Sequence, residues 1–169
     1  MNQDAAEAGL KAYEESFHTH YQNIMAQKLG LKDVQAEFVT ATLEMLEKHQ
    51  IDYTLFFRNL GEFPLKPQAV EELFSCKNDL HEWAVNYKQL IEKNSLDKRL
   101  EKMNAVNPVY IPRNYLLQEA IEKAEGGDFE LTNTLLKLWE KPFEEQQGME
   151  HFAQAAPDWG KKLVISCSS

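Results

Sequence analysis

Five histidines, two cysteines and several adjacent carboxylates are the residues of this 169-residue chain with the chemistry to bind metal or do catalysis. The histidines are His18, His20, His49, His81 and His151. His18 and His20 are two positions apart, so on a helix they point to different sides and cannot share a metal. There is no HExxH motif and no Cys/His quartet. Gly126-Gly127 follows a helical pattern and precedes Asp128. Without GxGxxG or a GK[ST] ending it reads as a helix–helix turn and not as a phosphate cradle. No GxSxG is present to orient a nucleophilic serine. Glu14–Glu15, Glu71–Glu72 and Glu144–Glu145 are neighbours in sequence. Neighbours on a helix diverge by about 100°, which suits a solvated surface and not an acid/base dyad. Cys76, beside Leu73 and Phe74, is expected to be a small buried hydrophobe. Cys167 stands in the terminal Ser166-Cys167-Ser168-Ser169. No catalytic, cofactor-binding or metal-binding residue is therefore expected in this chain, and a self-contained enzyme is disfavoured.

Elements that would position these residues are helical. Leu10, Tyr13, Phe17, His20–Tyr21, Ile24–Met25 and Leu29 recur at three- and four-residue steps, which predicts one apolar face on a helix over residues 4–29. Gly30 stands at its C-cap. Asp33 or a neighbour starts a second helix, with Phe38, Leu43, Met45 and Leu46 as its apolar positions. Asp52 is placed to N-cap a third, whose Tyr53, Phe56, Phe57 and Leu60 are expected in the core. Pro67 opens a short helix through Leu73 and Phe74. Residues 79–93 form an amphipathic helix with Leu80, Trp83, Ala84, Tyr87, Leu90 and Ile91 on one stripe. A short helix over Leu96–Ala105 precedes the Asn107-Pro108 turn. Asn114 is expected to cap a helix over Tyr115–Glu125, and Gly126-Gly127-Asp128 links it to Phe129–Trp139 as an αα-hairpin. From 143 to 169 the chain reads as a largely irregular tail. Within it, residues around Gly148–Ala155 could be ordered, and Leu163-Val164-Ile165 is strand-like but too short for a sheet. The fold class is all-α: an irregular multi-helix arrangement in a single helical domain over 1–169.

Composition narrows the partners. A hydrophobic fraction of 43% against 27% charged residues is that of a folded protein and not of a disordered one. The net charge of −9 and the small basic clusters Lys98–Arg99 and Lys161–Lys162 exclude a phosphate-backbone binder. No nucleic acid and no membrane is expected as a partner. No apolar run approaches the ~18 residues of a membrane span, and no secretory signal opens the chain.

What remains are compact polar-aromatic strings. They are MAQKLGL over residues 25–31, DYTLFFRNL over 52–60, MNAVNPVYIPRN over 103–114, KPFEEQ over 141–146, PDWGKKL over 157–163 and the terminal SCSS. In this order, and along most of the chain, they resemble the selenoprotein O family. The resemblance implies a kinase-like fold, similar to a pseudokinase, that transfers AMP from ATP to protein hydroxyls with a divalent metal such as magnesium. The family's nucleotide-binding and catalytic motifs belong to its earlier portion, and no position here matches them. The chain resembles only the helical C-terminal part, roughly the last third. ATP and Mg are thus implied for the parent protein and not for this chain, which alone is expected to be inactive.

One position carries over. The family places selenocysteine, or cysteine in bacterial members, where Cys167 stands. The implied role is redox regulation through a disulfide to a cysteine in the missing part, with Cys76 a weaker candidate partner. Implied partners are the kinase-like N-terminal portion of the same protein and the protein substrates of the parent enzyme. The implied location is the bacterial cytoplasm. The rival expectation is a free-standing helical binding or scaffold module without catalytic activity.

Overall fold

A computed structural model describes residues 3–92 and 98–164. Where one helical domain was expected over 1–169, the chain divides into two compact units, Met1–Val106 and Asn107–Ser169. The described residues are all-α, with eight α-helices, two 3-10 turns and no strand. Leu163 and Val164 are irregular, and Ile165 lies outside the described residues, as do Lys93 and Leu96.

The first unit runs α1 (Gln3–Lys28), α2 (Ala36–Lys48), α3 (Tyr53–Asn59), a 3-10 turn (Leu60–Glu62), α4 (Gln68–Glu71), α5 (Asn78–Glu92) and α6 (Arg99–Asn104). Gly30 ends α1 with φ +67°, a left-handed conformation that a side chain disfavours. Its role is also steric, because a Cβ there would lie 2.4 Å from Met103 Sδ. Asp33 does not start α2. Gln35 flanks it in extended conformation without a side-chain cap. Asp52 does cap α3, accepting from the Leu55 N–H at 3.0 Å.

The core is aromatic. Trp83 of α5 stacks on Tyr87 at 4.5 Å and on Phe38 of α2 at 5.6 Å. Phe56 of α3 meets Trp83 edge-on at 5.5 Å. Such offset and edge-on pairs are favoured by the ring quadrupole. The Trp83 indole N–H donates to Thr42 Oγ1 at 2.8 Å, and Thr42 donates to the Phe38 carbonyl at 2.7 Å. Thr42 is fully buried, so both polar groups are satisfied by this relay. The α5 stripe is buried as its spacing predicts at Leu80, Trp83, Ala84, Tyr87 and Ile91.

Three expectations in this unit are corrected. Met25, Ala26 and Leu29 are buried, but Leu10, Tyr13, Phe17, Tyr21 and Ile24 are exposed. At 3.6 residues per turn, the buried trio lies roughly 120° around the helix from that stripe, so the residues do not share one face. Cys76 is exposed and not buried. Phe74 is buried and Leu73 packs partly against the core, but Cys76 lies on the irregular link that leads from them to α5. Tyr53 is 40% exposed, while Phe56, Phe57 and Leu60 are in the core.

The second unit is built on the αα-hairpin of α7 (Asn114–Glu125) and α8 (Glu130–Glu140). Gly126 closes α7, and Gly127 takes φ +84° in the link. Asp128 Oδ1 accepts from the Glu130 N–H at 2.9 Å and so serves the first turn of α8. Leu116, Ala120, Leu135 and Leu138 form the seam, joined by Val109, Tyr110, Tyr115 and Phe152. After α8 the described residues are irregular except for a 3-10 turn at Glu150–Ala153. Asn114 is not the cap of α7. Arg113 flanks the helix, and the Asn114 amide instead donates to the Leu163 carbonyl at 2.9 Å.

Candidate functional site

Cys167, the redox candidate, lies outside the described residues. The segment before it is held firmly to the start of α7. Trp159 meets the Tyr115 ring edge-on at 5.9 Å. Gly160 sits so close to Tyr115 that a Cβ would lie 2.7 Å from its Cβ. Leu163 packs against the second core. Any side chain larger than hydrogen at position 160 would lift this segment from its seat.

The polar-aromatic strings converge within each unit. In the first, Lys28 of MAQKLGL places its ammonium 5.2 Å from the Tyr53 ring centroid and 5.4 Å from that of Phe57, both in DYTLFFRNL. It also donates to the Val106 carbonyl at 3.4 Å. Burial lowers the Lys28 pKa, and the two ring faces offset part of the lost hydration. Arg58 donates to the Asn104 carbonyl at 3.3 Å. Three strings therefore meet at one junction. In the second unit, the Val109 and Tyr110 N–H groups both donate to the Pro142 carbonyl, at 2.7 and 3.2 Å. The Tyr110 hydroxyl accepts from the Gln146 N–H at 3.0 Å. Asn114 holds the end of PDWGKKL through Leu163. These arrangements fix backbone against backbone.

A buried arginine escaped the sequence reading. Arg99 is 7% exposed, yet its guanidinium meets only neutral oxygens among the partners observed. It donates to the carbonyls of Gly61 at 2.9 Å, Phe63 at 3.0 Å and Leu60 at 3.2 Å, and to the Tyr87 hydroxyl. Tyr87 in turn donates to the Leu29 carbonyl at 2.6 Å. Burial pushes the Tyr87 phenol up to about 12, against the opposing pull of Arg99, so it stays a neutral donor. Arg99 thus serves the carbonyls of Gly61 and Phe63, shares that of Leu60 with the Phe63 N–H, and ties the 3-10 turn to the end of α1. Lys98–Arg99 had registered in sequence only as a small basic cluster. A single arginine at a helix start gives no sign of its burial.

On the surface, Asp79 in the first turn of α5 binds Lys48 and accepts from His49 Nε2 at 2.9 Å, both at the end of α2. The hydrogen bond from Lys48, then that from His49, holds the Asp79 carboxyl below the usual range. Cys76 lies within electrostatic range of Lys48. Among the described residues no three His, Cys, Asp or Glu side chains gather in a geometry for a metal ion. Nor does Gly126-Gly127 offer a phosphate cradle: the Gly127 and Asp128 N–H groups are already spent on the Ala124 and Lys123 carbonyls, each at 2.9 Å.

The most open feature is the α1 stripe. Tyr13, Phe17 and Tyr21 form a ladder with ring centroids 6.1 Å apart at each step. Leu10 and Ile24 flank it, 60% and 51% exposed. The Tyr53 hydroxyl donates to Met25 Sδ on α1 at 3.7 Å, one residue beyond Ile24, so the ladder leads toward Tyr53.

The motifs of the chain are thus spent on internal joints, and one face of α1 is bare. The family model for protein adenylyltransferase SelO matches residues 1–140. The protein nucleotidyltransferase YdiU of Pseudomonas fluorescens SBW25 is 42% identical over 174 residues, covering 98% of this chain and 36% of its own length. That of Vibrio vulnificus CMCP6 is 40% identical over 181 residues, covering 100% of this chain and 37% of its own. That of Pseudomonas entomophila L48 is 41% identical over 160 residues, covering 90% and 33%. The chain belongs to the SelO family of protein nucleotidyltransferases. It spans about a third of the length of these relatives. No helix among the described residues is long and apolar enough to cross a membrane.

Proposed function

We propose that this chain is the helical C-terminal portion of a protein adenylyltransferase, a bacterial cytoplasmic enzyme that moves AMP from ATP to hydroxyls of other proteins. One observation carries the reading: the family match runs along nearly the whole chain, yet the chain accounts for just over a third of its relatives. In this reading ATP and Mg²⁺ bind the kinase-like portion. This chain's part is to brace that portion and to carry Cys167 on a tail fastened near Leu163. By exchange with an oxidised small-molecule disulfide, which takes up the two electrons and leaves as two thiols, the thiol would form a disulfide with a cysteine outside this chain and so make activity depend on redox state.

The test joins this chain behind the part of the Pseudomonas fluorescens relative that it does not cover, and follows AMP transfer from radiolabelled ATP to protein. The joined protein transfers AMP, and the 169-residue chain alone neither transfers it nor binds ATP with Mg²⁺ by calorimetry. Micromolar, metal-dependent ATP binding by the chain alone overturns the reading. Equal activity of the joined protein and its Cys167→Ser variant under oxidising and reducing conditions removes the redox role. A free-standing binding module is the second reading, favoured by the bare stripe on α1. An upstream reading frame encoding the kinase-like portion would make it untenable.

A further inference from the structure

We propose that the α1 stripe of Leu10, Tyr13, Phe17, Tyr21 and Ile24, running on toward Tyr53, is the seat on which the rest of the family polypeptide docks. This rests on the reading of the chain as a portion of a longer enzyme, and names the surface that joins the two. Every described side chain from Ala5 to Ile24 is exposed, so about 30 Å of helix at 1.5 Å per residue stands clear of the first core. A helix in a folded protein draws most of its stability from packing its apolar face, and no described residue covers this one.

The occupant follows from three observations. First, α1 lies wholly within the matched residues 1–140, so it belongs to the family's shared body and is not an added arm. Second, nearly two-thirds of the relatives' length is not represented in this chain, which supplies ample polypeptide to cover it. Third, Tyr13, Phe17 and Tyr21 are 66%, 52% and 39% exposed, so of the roughly 150–250 Å² that each can bury about half is still open, on the order of 200–400 Å², to be matched by a similar area on the covering chain. The two together reach the lower end of what holds domains of one chain together.

A second copy fits less well. In coiled-coil register, Leu10, Tyr13, Phe17 and Ile24 would take the inner positions, but His20 falls on the seam. The pattern lasts about two heptads, short of the three to four that a coiled coil needs. A net charge of −9 on each copy also opposes self-association.

Thiol labelling, resolved by peptide mass, tests the seat. Phe17→Cys and Tyr13→Cys are placed on the stripe, and Ala12→Cys on the other side of α1. Each is made in this chain alone and in the chain joined to the uncovered part of the Pseudomonas fluorescens relative. All three are expected to react quickly in the chain alone. In the joined protein the two stripe positions slow at least 10-fold, and position 12 does not. Stripe cysteines that react equally fast in both settings overturn the inference. Slow labelling in the chain alone, with doubled mass in solution, overturns it in favour of a second copy. AMP transfer by the joined protein is read separately. If it is present while the stripe stays reactive, the seat is wrong and the function stands. If it is absent while the stripe is protected, the reverse holds.

Discussion

Helices α1 and α5 carry the same signal in sequence and meet opposite fates. Each repeats apolar residues at three- and four-residue steps. On α5 the stripe is roofed by α2, α3 and the turn after α3, with Trp83 and Tyr87 at its centre. On α1 the stripe faces water, and only its last turn enters the core, on a different face. Periodicity specifies which side of a helix wants cover. It says nothing of whether the covering atoms belong to the same stretch of chain.

Four measurements would break or sharpen that contrast. The largest effect is expected at Trp83→Ala, which empties the centre of the covered stripe and leaves Thr42 Oγ1 without its donor. It should cost about 3–5 kcal/mol in urea unfolding, and a loss below about 1 kcal/mol would mean α5 is not the centre of the core. Next comes Arg99→Met, of similar length but without donors. The carbonyls of Gly61 and Phe63 lose their partner and that of Leu60 keeps only the Phe63 N–H, for an expected loss of about 2–4 kcal/mol in the same assay. A neutral result would show that water reaches the turn and serves them.

The third concerns the salt clamp that α5 has at its start. The folded-state pKa of Asp79 is lowered, chiefly by Lys48 and then by His49. Its contribution is therefore complete above the ordinary aspartate pKa of about 3.9 and is lost as pH falls through the depressed folded value. Asp79→Asn should destabilise modestly at neutral pH and converge on the wild type below that range. A gap that stays constant with pH would remove the electrostatic account. The smallest effect is expected at Phe17→Ala in the chain alone, within about 0.5 kcal/mol of wild type. A loss of 2 kcal/mol or more would show that the stripe is already covered and would erase the comparison.

The features legible in sequence are those decided locally. Asp52 caps α3 because its carboxylate and the Leu55 N–H are three residues apart. Gly30 ends α1 because glycine tolerates positive φ. The hairpin of α7 and α8 follows from a short glycine link between two apolar patterns. The α5 stripe was read residue by residue. What was misread depends on distant chain. Asn114 had the right type for a cap but found Leu163, 49 residues on. Cys76 follows the apolar pair Leu73 and Phe74, which pack on the core, yet it lies beyond them on an exposed link. The division after Val106 left no glycine run or charged linker to mark it. Arg99 was invisible because its partners, Leu60, Gly61, Phe63 and Tyr87, offer backbone oxygens and one phenol, with no carboxylate to suggest a pair. As for the redox candidate, the spacing from the terminus is all that speaks for Cys167.

The Arg99 clamp also bears on how the chain is made. Leu29, Leu60, Gly61 and Phe63 are synthesised well before the side chain that joins them. At ribosomal speeds of about 5–20 residues per second, the interval from residue 29 to residue 99 lasts roughly 4–14 s. Until it ends, the turn after α3 has carbonyls with only water to serve them. The first unit therefore cannot lock as its helices emerge one by one, and must wait for the start of α6 before it closes.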